Sequence, residues 1–74
     1  MNVTAYVEAV VGMMGDFPLA VIDNALDSND ADTLKLLRDM LDSFGYGALE
    51  QDDNTFLIYR LDSDEAKEVL AQLE

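Results

Sequence analysis

Sixteen carboxylates stand against four bases in these 74 residues, a formal charge of −12, and the chain has no histidine or cysteine. No disulfide and no Cys/His zinc site can staple such a fold, so apolar burial has to hold it against the repulsion among its acids. A domain of this size buries only roughly 60 % of the surface its unfolded chain exposes. Half of the residues are hydrophobic, which separates the sequence from disordered acidic tails. The expectation is one compact domain over 1–74. Its stability should be modest, and should rise with salt or with a partner that neutralises the charge.

The same imbalance narrows function. Nucleic-acid phosphates and anionic membranes repel such a chain, whereas basic protein surfaces and cations attract it. The N-terminus has neither the basic region nor the apolar run of a signal peptide, and nothing approaches a membrane span, so a cytoplasmic location is expected. Eleven of the sixteen acids are Asp, and Lys occurs twice. Asp-rich, Lys-poor surfaces are found in proteins adapted to high salt. Electrostatic inhibition, including mimicry of DNA, is the other source of such a surface.

The order of elements predicts a mostly helical α+β fold: three helices, a β-hairpin and a C-terminal helix. Val3, Tyr6, Val7, Val10, Val11 and Met14 recur at helical spacing after Asn2 or Thr4 as cap, and Gly15-Asp16 reads as a stop and a new cap. Pro18 suits the first turn of a short second helix, with Leu19, Ile22 and Leu26 on its inner face. Asn29 or Asp30 caps a third helix that turns Leu34, Leu37, Leu41 and Phe44 inward, carries the pairs Lys35–Asp39 and Arg38–Asp42, and ends at Gly45. Tyr46 to Glu50 and Thr55 to Leu61 form a hairpin around Gln51-Asp52-Asp53-Asn54. Both faces of the second strand are apolar, so Thr55 to Leu61 is a candidate contact for a homodimer. Asp62 and Glu65 resemble a capping arrangement for a last helix with Ala66, Val69, Leu70 and Leu73 as its stripe.

From Ile22 to Leu61 this order resembles a winged helix-turn-helix domain. Ile22-Asp23-Asn24-Ala25-Leu26 would be the supporting helix, Asp30 to Phe44 the recognition helix, and Tyr46 to Leu61 the wing. The resemblance implies DNA reading, yet the outward residues are Asp32, Lys35, Asp39 and Asp42, and the wing tip carries Glu50, Asp52 and Asp53. Base and phosphate contacts need Arg, Lys, Asn or Gln at such positions. Protein contact is the better use of the scaffold.

Specific chemistry finds little support. Asp27-Ser28-Asn29-Asp30-Ala31-Asp32 begins like an EF-hand loop, but Asp32 and Arg38 stand where that loop needs Gly and Glu, so a turn and helix cap is the reading. Leu26-Asp27-Ser28 and Leu41-Asp42-Ser43 resemble the Asp-Ser-Leu site of acyl carrier proteins, but neither serine precedes a leucine. Without His or Cys, an enzyme would need carboxylates, Lys or Tyr in a cleft that so short a chain scarcely encloses. No enzyme and no cofactor or metal are expected. The expectation is an acidic interaction module that docks on a basic, nucleic-acid-handling protein and occludes its site. Small phage- or plasmid-encoded anti-defence inhibitors have this composition. The residues expected to carry it are Asp27, Asp30, Asp32, Asp39, Asp42, Asp52 and Asp53, with helical neighbours about 5–6 Å apart. The alternative is a salt-adapted winged-helix transcriptional regulator that binds DNA through Lys35 and Arg38.

Overall fold

The computed structural model describes residues 1–73 as an α+β fold. Its elements run α1 (Val3–Met14), β1 (Leu19–Asp23), α2 (Ala31–Ser43), β2 (Tyr46–Glu50), β3 (Thr55–Arg60) and α3 (Asp64–Leu73). The three strands form one antiparallel sheet in the order β1-β3-β2, so the last strand in sequence is the middle one in space.

The stripe of α1 packs as its spacing predicts. Val3, Tyr6, Val7, Val10 and Met14 are buried, with Asn2 capping the helix through a bond from the Ala5 N–H to Oδ1 at 2.8 Å. They meet Leu37 and Leu41 of α2 and Ile22, Tyr46, Phe56 and Ile58 of the sheet in one core. Tyr6 lies edge-on to Phe56, with ring centres 6.1 Å apart. α2 ends at Gly45, whose φ of 87° is a conformation open to Gly at no steric cost; its N–H bonds the Asp42 carbonyl at 2.9 Å.

The expected second helix is the first correction. Leu19 to Asp23 is a strand, and Asn24 to Asp30 runs on as an irregular segment. Its apolar residues suit either period over so short a stretch, and tertiary pairing decides between them. β3 buries Phe56, Leu57 and Ile58 in succession, on both faces, and a strand buried in this way needs a neighbour on each edge. β2 supplies one, and Leu19–Asp23, with β-branched Val21 and Ile22, supplies the other. The supporting helix expected over Ile22–Leu26 is therefore absent. It also follows that Thr55 to Leu61 offers no edge to a second copy, because both edges of β3 are taken and its apolar side chains are mostly covered.

Three smaller departures have simple causes. Phe44 stands in the turn beyond α2 and is 55 % exposed, not inward. Arg38 bonds Glu50 across to β2 at 3.1 Å rather than Asp42 along the helix. The cap of α3 is Ser63, whose Oγ accepts the Ala66 N–H at 3.2 Å. Ala66 is fully buried and Leu57 nearly so, yet both lie outside the main core. Leu57 points to the opposite sheet face from Phe56 and Ile58, and α3 turns a separate apolar stripe inward, buried Ala66 with half-buried Val69 and Leu70.

Arg60 ties the ends of α1, β1 and β3 together. Its main-chain N–H bonds the Pro18 carbonyl at 2.9 Å, its Nε bonds the Phe17 carbonyl at 3.2 Å, and its Nη2 reaches the Gly15 carbonyl. α1 has no base in its last turn, so this guanidinium supplies the positive charge at that end of the helix dipole. It also lies 5.4 Å from the centre of the Tyr46 ring.

On the opposite face the Tyr59 ring covers Gly47, its partner across the ladder, and a Cβ at position 47 would overlap that ring. Gly47→Ala should destabilise the protein by about 1 kcal/mol in urea unfolding, as the ring is forced aside. In a Tyr59→Ala background the same change should be neutral or stabilising, because Ala suits a strand better than Gly. Equal costs in both backgrounds would contradict the contact.

Candidate interaction surface

No charged side chain is buried among the described residues, so the core is apolar and the charge lies outside it. Three separate segments carry most of the expected acids. Asp27 and Asp30 lie in the segment after β1, Asp32 in the first turn of α2, and Asp52 and Asp53 in the hairpin turn. These segments are joined. The Asn24 N–H bonds the Asn54 carbonyl at 3.1 Å, which fixes the start of the 24–30 segment to the hairpin turn. Within the segment, Asn24 bonds Asn29 at 2.7 Å and accepts the Leu26 N–H at 3.1 Å. Asn54 itself holds a φ of 63°, which Asn tolerates in a turn. The start of the segment that carries Asp27 and Asp30 is thus held beside the turn that carries Asp52 and Asp53, and that segment leads directly into α2 and Asp32. Asp39 and Asp42 lie further along α2.

Several of these acids also have structural work. Asp30 caps α2 by accepting the Thr33 N–H at 2.7 Å, and it accepts the Ser28 hydroxyl at 3.1 Å. The Thr33 N–H first, then the Thr33 and Ser28 side chains, hold its carboxyl below the ordinary aspartate value. Because the folded-state value is the lower one, this contribution is present above the ordinary pKa and is lost as pH falls through the folded-state value. Asp27 pairs with the amine of Met1, and Asp39 with Lys35 at 2.7 Å.

Three of the four bases are committed. Lys35 and Arg38 each hold a carboxylate, and Arg60 holds main-chain carbonyls. Lys67, exposed on α3, has no carboxylate partner among the described residues. Neither α2 nor the hairpin therefore presents an uncommitted cation to a phosphate backbone.

A groove of about 390 Å³ runs between α1 and the edge of β1, lined by Tyr6, Ala9, Val10, Met13, Val21 and Asp23 among others. It was not legible in the sequence, because it exists only once Leu19–Asp23 is an edge strand. Its rim is apolar: Val21 is 63 % exposed and Met13 59 %. At its end the Tyr6 hydroxyl donates to the Asp23 carbonyl at 2.8 Å. A shallower hollow of about 300 Å³ lies against β2, where Arg38, Asp42, Tyr46 and Tyr59 meet. Among the described residues no group of three His, Cys, Asp or Glu side chains is placed to hold a metal ion, and no helix is long and apolar enough to cross a membrane. No family model, curated protein or solved structure matches the chain.

Burial, and secondly the charge of Asp23, push the Tyr6 hydroxyl up to about 12. The folded-state value is raised, so its contribution is complete below the ordinary tyrosine value near 10 and is lost as pH rises from there through about 12. Urea unfolding at a series of alkaline pH values should show stability falling across that window. Tyr6→Phe should be less stable at pH 7 by about 1 kcal/mol, for the lost hydrogen bond, and should lack that part of the alkaline fall. An identical fall in both proteins would exclude Tyr6 as its source.

Proposed function

We propose that the protein is a non-enzymatic acidic interaction module that docks on a basic, nucleic-acid-handling protein and occludes the site its nucleic acid would use. One observation carries this reading. The Asn24–Asn54 bond holds the acid-bearing 24–30 segment, which leads directly into α2, beside the acid-bearing hairpin turn, while the bases of α2 are spent on carboxylates. Like charges carried on adjoining segments oppose folding, so folding alone gives no reason for them. A basic groove gains from them, through attraction that steers encounter and displaces counterions. Asp30 and Asp32 on α2 and Asp52 and Asp53 on the turn are the residues we assign to the contact. Asp39 and Asp42 extend the acidic track along α2, and Asp27, paired with the Met1 amine, adds less.

A winged-helix-like scaffold is the finer reading of the fold. In its favour are a capped α2 leading straight into the β2–β3 hairpin, and the return of β1 to the sheet beside β3. Against it stands the extended 24–30 segment where the supporting helix would be. On such a scaffold the alternative function, a salt-adapted regulator binding DNA through Lys35 and Arg38, needs both side chains to leave Asp39 and Glu50.

Capture from a host lysate on the immobilised protein, washed at graded salt, separates the two. The docking module should retain basic proteins that salt releases and that duplex DNA displaces. The variant carrying Asp30→Asn, Asp32→Asn, Asp52→Asn and Asp53→Asn should retain at least about tenfold less, with α2 still capped because Asn caps as Asp does. Equal capture by the variant would refute the assignment. Direct binding of the protein to duplex in molar salt would favour the regulator.

A further inference from the structure

We infer that the free edge of β1 accepts an extended, lysine- or arginine-bearing segment of the partner as a fourth strand, with one apolar side chain seated in the groove beside α1. The inference rests on the basic partner proposed above and names how that partner is held. The register identifies the available backbone. Arg60 bonds Pro18 and Asn24 bonds Asn54 across the ladder, so the even-numbered residues of β1 turn their main-chain groups towards β3. In an antiparallel ladder the residues between them, Leu19, Val21 and Asp23, then point their N–H and C=O groups outward. The Asp23 carbonyl is taken by the Tyr6 hydroxyl. The main-chain groups of Leu19 and Val21 have no protein partner among the described residues.

Edges of this kind invite another strand, and natural sheets commonly guard them with lysine, an inward charge or a bulge. β1 has no base, and Asp23, at its far end, is its single charge. Along the strand runs the apolar groove, with Met13 and Val21 on its rim. Main-chain bonds at an edge together with a side-chain pocket are the two parts of strand addition.

Charge decides the occupant. Asp23 lines the groove, Asp27 lies close by on the Met1 amine, and the whole chain carries −12. A second copy would bring an equal charge against this one, whereas a strand alternating apolar and basic residues brings the opposite sign.

Titration of the isotope-labelled protein at low salt tests this, with two probes: an acetylated peptide alternating valine and lysine, and the same peptide N-methylated at alternate main-chain nitrogens. Strand addition predicts that the first peptide slows exchange of the Leu19 and Val21 amides and shifts Met13. N-methylation should weaken binding roughly tenfold, as should Val21→Pro, which removes an outward N–H that β3 does not use. Met13→Gln, which removes apolar surface from the rim without changing its charge, should weaken it as well and serves if the proline variant does not fold. Equal binding of both peptides, with shifts confined to Asp30, Asp32, Asp52 and Asp53, would overturn strand addition and leave the acidic docking surface standing. Protection of Val21 that grows with protein concentration before peptide is added would assign the edge to a second copy and overturn the inference. Binding of neither peptide would overturn both readings.

Discussion

The burial of β3 on both of its faces is the constraint from which the rest of this structure follows. Phe56 and Ile58 enter the core with α1 and α2, while Leu57 between them is buried on the other face, outside that core. A strand with no solvated face cannot stand at the side of a sheet, so it takes the middle position and draws a partner to each edge. Without disulfide or metal, a chain this short depends on such a doubly used element. One strand serves two apolar layers, and each helix has only to cover part of one face.

The electrostatics are divided in the same economical way. Among the described residues carboxylates stay outside the core, so none needs a buried counter-ion, and two of the four bases join elements. Arg60 gathers the carbonyls at the end of α1, and Arg38 links α2 to β2. An exposed pair such as Lys35–Asp39 contributes little by itself, typically about 0.2–1 kcal/mol. What these pairs change most is the surface, because they remove positive charge from the helix and hairpin that would otherwise face a nucleic acid. The net charge left is negative, and the Asn24–Asn54 bond joins two of its carriers, the 24–30 segment and the hairpin turn.

Much of this was legible before the fold was known. The stripe from Val3 to Met14, the Gly45 stop and the hairpin around Asp52-Asp53 are local signals, each with its own mechanism, and each stands where the sequence puts it; of the two caps the sequence offers for α2, Asn29 and Asp30, the structure uses Asp30. Leu19–Asp23 was not legible, because four apolar residues after a proline satisfy a helical and an alternating pattern alike. The clue lay elsewhere in the chain. Phe56, Leu57 and Ile58 leave no solvated face, which a two-stranded hairpin cannot accommodate, and Val21-Ile22 is the remaining β-branched pair outside the helices. The groove and the clamp at Arg60 depend on that third strand, so they were hidden with it. The placement of the acids divides similarly. Their presence is composition, but the meeting of two segments that carry them comes from a main-chain bond between residues thirty apart in sequence.

An unguarded strand edge and a large net charge are usually treated as separate liabilities, and here each limits the other. β1 lacks the lysines that commonly prevent edge-to-edge pairing, yet two copies approaching edge to edge bring −12 against −12. At an ionic strength near 0.15 M that repulsion reaches about 8 Å, further than the roughly 5 Å between paired strands, so it acts before the backbones can bond. The same field draws in a strand of opposite charge. On the strand-addition proposal the acidic surface would exclude a second copy from the edge and recruit a basic strand, without any residue of β1 being specialised for either task. At molar salt the screening length falls to about 3 Å and this discrimination is lost, which makes ionic strength the variable on which the edge's selectivity turns.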